Sequence, residues 1–245
     1  MLYRLSSISQ RECAHAYEVK PMLVTQHITC FRRLPIHSTV IIIAFCICSL
    51  LPAQSYAQLY KLDRSTEQEL TEDRKPWETK TCRFFSNTTN DISLAVPLSL
   101  FVAGSIMGNK DLKKNALYVT ESLAASTVIT FALKYSIKRP RPYTQDSLIT
   151  KAGMGGGYSF PSGHTSQAFA TATALALAYP KWYVIAPSYL WAGWVAYSRM
   201  YLGVHYPTDI LGGAIVGSGS AFLMYKVNKW IQQKNEHKRV TAFTY

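Results

Sequence analysis

From Ser198 to Val227 the chain reads SRMYLGVHYPTD, then ILGGAIVGSGSAFLMYKV. The second half, Ile210–Val227, is apolar up to Lys226, rich in Gly, Ala and Ser, and lacks the β-branched alternation of a strand. It reads as a helix, with Pro207 suited to its first turn. Eighteen residues at 1.5 Å each give roughly 27 Å, close to the ~30 Å hydrocarbon core of a bilayer. Small residues such as those at 212–221 suit close helix packing in lipid. Upstream lie four more segments of this kind: Ile92–Gly108, Ala116–Leu133, Thr165–Tyr179 and Trp182–Tyr197. The expected fold is all-α, a bundle of five to six helices embedded in a membrane. Because each segment is slightly short for a span, tightly packed helices of a soluble all-α domain are the alternative.

Composition supports this frame. The 245 residues are 48% hydrophobic and 16% charged, against about 25% charged in soluble domains. That deficit argues against disorder and against a nucleic-acid partner. Lys and Arg total 26 against 14 acids, a formal +12, so the partner of these charges is anionic lipid or a phosphorylated substrate.

The N-terminus resembles an export signal. Arg32 and Arg33 precede VIIIAFCICSLL from Val40 to Leu51, and Ser55-Tyr56-Ala57 follows. Residues 1–57 are therefore read as a signal-like segment, cut after Ala57 or kept as an anchor helix. Met22 is the expected start, with residues 1–21 a gene-model artefact. Of five cysteines only Cys82 lies beyond that cut, too few for a disulfide or a structural zinc site. Residues 58–91 form a polar amphipathic lead-in of short helix and loop, either on a membrane surface or as a solvated linker. The helical domain follows at 92–227 and a basic tail at 228–245.

If the apolar segments span, Lys110, Lys113, Lys114, Lys181 and the tail cations fall on one side. That is the positive-inside pattern, with the tail cytoplasmic. The pieces 58–91, 134–164 and 198–209 then face outward together, and they carry a second basic cluster that needs its own reason.

Three outward pieces hold the unusual polar residues. Lys134, Lys138, Arg139 and Arg141 place four cations in eight residues directly after a helix. Taken alone this is equally a basic anchor. Ser159-Phe160-Pro161-Ser162-Gly163-His164-Thr165 follows a Gly-rich stretch and opens a helix, whose free amides bind anions. Taken alone, Ser162 reads better as a plain N-cap. His205 and Asp209 are four apart, so a carboxylate can fix the imidazole tautomer if a helix has begun by then. Taken alone, such a pair is usually structural.

Together, Lys134 with Arg141-Pro142, Pro161-Ser162-Gly163-His164, and Ser198-Arg199 with His205 and Asp209 resemble the three-part signature of the type 2 phosphatidic acid phosphatase family. That family includes vanadium haloperoxidases and bacterial acid phosphatases. The resemblance implies cleavage of phosphate monoesters or diphosphates without a metal or other cofactor. It implies His205 as the nucleophile that becomes a phosphohistidine, Asp209 as its orienting partner and His164 as the general acid. Lys134, Arg141, Ser162, Gly163 and Arg199 would hold the phosphate oxygens. Lys138 and Arg139 lie beside the signature, either as contacts to a second phosphate or head group or as helix anchors.

The function expected on this basis is a metal-independent lipid phosphate phosphatase in a bacterial inner membrane, its site facing the periplasm. Candidate substrates are lipid A phosphate, undecaprenyl pyrophosphate and phosphatidylglycerol phosphate, with lipid A first. Rivals are a soluble periplasmic acid phosphatase acting on small monoesters and a vanadium-dependent haloperoxidase. A non-enzymatic anion binder fits less well, because both histidines and Asp209 are retained.

Overall fold

The computed structural model describes residues 53–242, with side chains from 58 to 235. The signal-like run 40–51 and the expected start at Met22 lie outside the described residues. The described chain is α-helical: α1 (Ala53–Glu72), α2 (Pro76–Ile106), α3 (Lys110–Ile137), the single turn α4 (Pro142–Gln145), α5 (Gly163–Ala178), α6 (Trp182–Tyr201) and α7 (Pro207–Ala242). The bond Ala57–Gln58, where cleavage is expected, lies within α1.

Local chemistry sets several of these ends. Pro76 occupies the first turn of α2, where its missing N–H costs nothing. Asn109 caps α3, its Oδ1 accepting from the amides of Asp111 (2.9 Å) and Leu112 (3.2 Å). Lys138 ends α3 in the left-handed region at φ 53° and turns the chain toward Arg139 and Arg141.

The helices differ in extent from the apolar segments. The segment beginning at Ile92 is the second half of α2. Its first half is polar in composition yet helical, and Thr79, Thr81, Thr88 and Thr89 return their hydroxyls to carbonyls four residues back. The helix begun at Pro207 runs past Val227 to Ala242, since no Gly or Pro between Asn228 and Ala242 stops it.

The bundle is apolar outside and small or polar inside. Leu94, Leu98, Ile106, Val128, Phe131, Leu211 and Ile215 are exposed, whereas Ser86, Thr89, Ser93, Ser122, Ser126 and Thr130 are buried. That inversion suits a lipid surround, where backbone and hydroxyl groups are satisfied inward. Three helical stretches, Pro76–Ile106, Lys110–Gln145 and Pro207–Asn235, are long and apolar enough to cross a bilayer. Their length and outward apolar faces mark a membrane protein.

At the centre stands α5, packed against α2, α3, α6 and α7. Its Ala168, Ala170, Ala172 and Ala174 are fully buried. Close approach of α7 is possible because Gly213 and Gly217 face it: a Cβ on Gly213 would lie 2.7 Å from the Ser162 carbonyl, and one on Gly217 would lie 2.8 Å from the Ala170 amide.

Candidate active site

Alternation of helix direction brings the C-terminal ends of α3 and α6 and the N-terminal ends of α5 and α7 to one end of the bundle. The three signature pieces meet there. Ser162 sits at the N-cap of α5, yet its hydroxyl makes no capping bond to the first-turn amides. It accepts instead from Thr165 Oγ1 at 3.0 Å. The plain N-cap reading of Ser162 is therefore overturned, and the first-turn amides stay available to an oxyanion. The Ser162 amide donates to the Asp209 carbonyl at 3.0 Å and stitches the second piece to the third. Above Gly163 there is room, since the nearest atom to a Cβ built there is 3.9 Å away, on Thr130.

His205 is buried between α6 and α7. Its Nε2 lies 3.2 Å from Arg141 Nη1. A guanidinium can only donate, so Nε2 accepts and the ring proton sits on Nδ1. Nδ1 faces Asp209 Oδ2 at 3.5 Å, long for a hydrogen bond, and has no other partner. Asp209 is itself held. Its Oδ2 accepts from the Tyr206 amide at 3.0 Å, and its Oδ1 accepts from Arg139 Nη1 at 2.7 Å. The spacing of four works because Pro207 starts the helix and puts Asp209 in its first turn.

The other cations surround this pair. Lys134 Nζ donates to the carbonyls of Tyr158 (2.8 Å) and Ser159 (3.4 Å). Arg141 donates to the carbonyls of Gly156 (2.8 Å), Gly157 (3.0 Å) and Val204 (2.8 Å). Buried Arg199 donates to Met154 O (2.8 Å) and to the Ser86 hydroxyl, and its Nε has no partner. The Gly-rich stretch thus offers carbonyls to Arg141 and Arg199, and the two residues after it offer theirs to Lys134. Gly155 is required there, because a Cβ would fall 2.8 Å from Arg141 Nη1. His164 shares a cavity of about 180 Å³ with Lys134, Gly163, Thr130 and Gln167.

Burial, and then the charges of Arg199, Arg141 and Lys134, hold His205 well below the usual imidazole range. The same causes in the same order push His164 down to about 3. Both shifts favour the neutral ring. An anion placed among these cations would work in the opposite direction and favour imidazolium.

The structure brings His205, Asp209, Arg141 and Ser162 into a connected unit. Lys134, Gly163 and His164 line one cavity beside it. Arg199 reaches both histidines through its charge. Arg139 is not free for a second phosphate or a head group: it is paired with Asp63 (2.6 Å) and Asp209 (2.7 Å) and stacks on Tyr206 at 4.2 Å. Asp63, Glu67 and Ser86 escaped the sequence reading because 58–91 reads as a polar lead-in. The one signal was Asp63 and Glu67 at a spacing of four, on one face of α1.

Fold and site together define a class: an all-α membrane protein whose helix ends build a cationic pocket around a carboxylate-backed imidazole. Residues 115–233 match the PAP2 superfamily. It is 32% identical over 143 residues to the lipid A 4'-phosphatase of Bacteroides thetaiotaomicron, covering 53% of this chain and 62% of that protein. It is 29% identical over 121 residues to the undecaprenyl-diphosphatase BcrC of Bacillus subtilis, covering 49% and 62%. The chain thus spans somewhat less than two thirds of these relatives. The crystal structure of Aquifex aeolicus LpxE superposes with a TM-score of 0.55 at 25% identity, covering 65% of this chain and 92% of that one. A PAP2-type phosphatidylglycerolphosphate phosphatase from Bacillus subtilis shares the fold, with a TM-score of 0.60 at 20% identity, covering 80% and 96%.

Proposed function

We propose that this protein is a metal-independent lipid phosphate phosphatase, with lipid A phosphate as the preferred substrate class. The observation that carries the reading is the pair of environments around His205. Nδ1 faces a fixed carboxylate, and the Nε2 lone pair faces Arg141 in a ring of cations. Phosphoryl transfer needs positioning and charge neutralisation above all, and Lys134, Arg141, Arg199 and the α5 amides supply both.

The steps balance as follows. Nε2 of His205 bonds to phosphorus as the ester P–O bond breaks, and its electron pair leaves on the lipid oxygen. His164 gives that oxygen a proton, and Asp209 stabilises the charge gained by the His205 ring. A water then attacks phosphorus and returns a proton to His164. The P–N bond breaks, its electron pair goes back to Nε2, and inorganic phosphate leaves. His164 starts neutral, so its proton arrives with the substrate monoanion, and the local cations are then offset by the phosphate.

The reading places the site at the periplasmic face of a bacterial inner membrane. Support comes from Lys110, Lys113, Lys114 and Lys229, which lie at the opposite end of α3 and α7. The names of the relatives, lipid A phosphatases among them, favour a lipid substrate. The test is phosphate release by the purified protein from lipid A, undecaprenyl pyrophosphate and phosphatidylglycerol phosphate. Lipid A should be turned over fastest, and His205→Ala should lose about a thousandfold or more. Undiminished release by His205→Ala would refute the assignment.

A further inference from the structure

We propose that Asp63 on α1 is a positioning residue for the His205–Asp209 pair, acting through Arg139 and Thr208. This rests on the reading of His205 as the nucleophile. Asp63 is buried, 145 residues from its contacts on α7. Its Oδ1 accepts from the Thr208 amide at 3.0 Å and so caps the first turn of α7. Its Oδ2 accepts from the Thr208 hydroxyl and from Arg139 Nη2 at 2.6 Å. Arg139 Nη1 then donates to Thr208 Oγ1 at 2.6 Å and to Asp209 Oδ1 at 2.7 Å.

The guanidinium is thus a planar fork between two buried carboxylates, one on the N-terminal helix and one beside the nucleophile. Fork geometry fixes both partners in orientation, which a Lys could not do. Asp209 needs such fixing. Its Oδ2, the oxygen that faces His205, is otherwise held only by the Tyr206 amide. Rotation of that carboxylate would take its negative charge away from Nδ1 of His205 and weaken the preference for the tautomer in which Nε2 carries the lone pair. Without Asp63, Arg139 would lose the acceptor on its Nη2 and keep one of its two carboxylates, and could swing away from Asp209. None of the three phosphate-facing cations touches Asp63, so the chain of contacts bears on orientation and leaves the phosphate ligands in place.

The experiment uses the full chain in detergent with p-nitrophenyl phosphate as the probe substrate. Asp63→Asn keeps the cap acceptor but removes the charge facing Arg139. It should lower kcat about tenfold or more, on the scale seen for outer partners of reactive groups, with KM little changed. Asp63→Glu should recover part of the loss. In an Asp209→Asn background Asp63→Asn should change kcat little, because the two act in one chain. Equal fold losses in both backgrounds, or a loss confined to KM, would overturn the proposal. Thr208→Val and Arg139→Lys repeat the same cycle should Asp63→Asn fail to fold.

A second readout does not depend on turnover. Nitrogen shifts of the His205 ring should report one tautomer, protonated on Nδ1, in the wild type and a mixture in Asp63→Asn. If the wild type turns over no phosphate ester, the phosphatase reading falls and the ring shifts still decide the role of Asp63. An unchanged tautomer in Asp63→Asn would overturn it.

Discussion

His205 carries two nitrogens in two environments, and a neutral ring is what lets them differ. Burial and the three cations keep it neutral well below the usual imidazole range. Acidifying the solution therefore does not remove the Nε2 lone pair, while a phosphate monoester gains its monoanion proton near about pH 6. kcat/KM, which reports the free enzyme, should hold or rise from pH 7 to pH 5. A fall on acidification with a midpoint near 6.5 would contradict the assignment. Gly163 offers a cleaner probe. Because a Cβ there meets nothing nearer than 3.9 Å, Gly163→Ala should melt like the wild type yet lose activity about tenfold or more, by blocking phosphate from the amides. Unchanged activity would remove Gly163 from the site. Glu67 is buried with neither carboxylate oxygen bonded, and burial pushes it up to about 9. The folded state thus binds a proton that the unfolded state releases above about pH 4.5, so this residue costs stability increasingly as pH rises from there to about 9. Glu67→Gln should raise the melting temperature, with a gain that grows between pH 5 and 9, on the order of a few degrees. A gain independent of pH would refute this.

At this scale the sequence was legible where chemistry and spacing lay close together. His205 and Asp209 are one helical turn apart, and Pro207 between them announces the turn. Arg139 was visible as a cation but not as a fork, because both of its partners are set by tertiary packing, one of them 76 residues upstream.

Among elements, the interface of α5 with α7 positions the site. It carries the Ser162–Asp209 backbone bond, and Gly213 lies against the Ser162 carbonyl. Gly213→Leu must push α7 away from α5 and part the oxyanion amides from His205. It should cost about 1–3 kcal/mol or more and abolish activity in whatever folds. Gly219, one turn and a half further on, has nothing within 4 Å of a Cβ. Gly219→Ala should gain about 0.5–1 kcal/mol from helix propensity and leave activity intact. Thermal melting with a parallel rate assay checks both, and equal effects of the two substitutions would contradict the packing described. The small-residue pattern of α7 was readable as a close-packing face. The first half of α2 was not, because its hydroxyls satisfy themselves on their own helix and so look polar in composition while lying against the bundle. α1 read as lead-in for a different reason: its buried carboxylates turn inward, Asp63 to Arg139 and Thr208.

Among the described residues, cations gather at both ends of the bundle, Lys134, Arg141 and Arg199 at one and Lys110, Lys113, Lys114 and Lys229 at the other. The positive-inside rule supports the proposal that the second end is cytoplasmic. A cytoplasmic reporter fused after Tyr245 should work and a periplasm-dependent one should stay silent. A strong periplasmic signal would favour the soluble acid-phosphatase alternative. On the proposed reading Lys134, Arg141 and Arg199 take over the charge neutralisation that magnesium gives elsewhere, so exhaustive dialysis against EDTA should leave the rate unchanged. Loss that magnesium restores would show that these cations do not suffice. The all-α class and the clustering of three distant motifs were legible because each motif borders an apolar run, and alternating helices put those borders together. The helix ends and the role of α1 were not, since they depend on which polar residues turn inward.

The central claim is a covalent phosphohistidine at His205. The direct measurement is rapid alkaline quenching of the protein during turnover of ³²P-labelled lipid A, followed by peptide mapping. The account predicts a label that is stable in base, labile in acid, located on the peptide containing His205 and absent from His205→Ala. A wild-type enzyme that releases phosphate with no such label, or with the label on another residue, would contradict it.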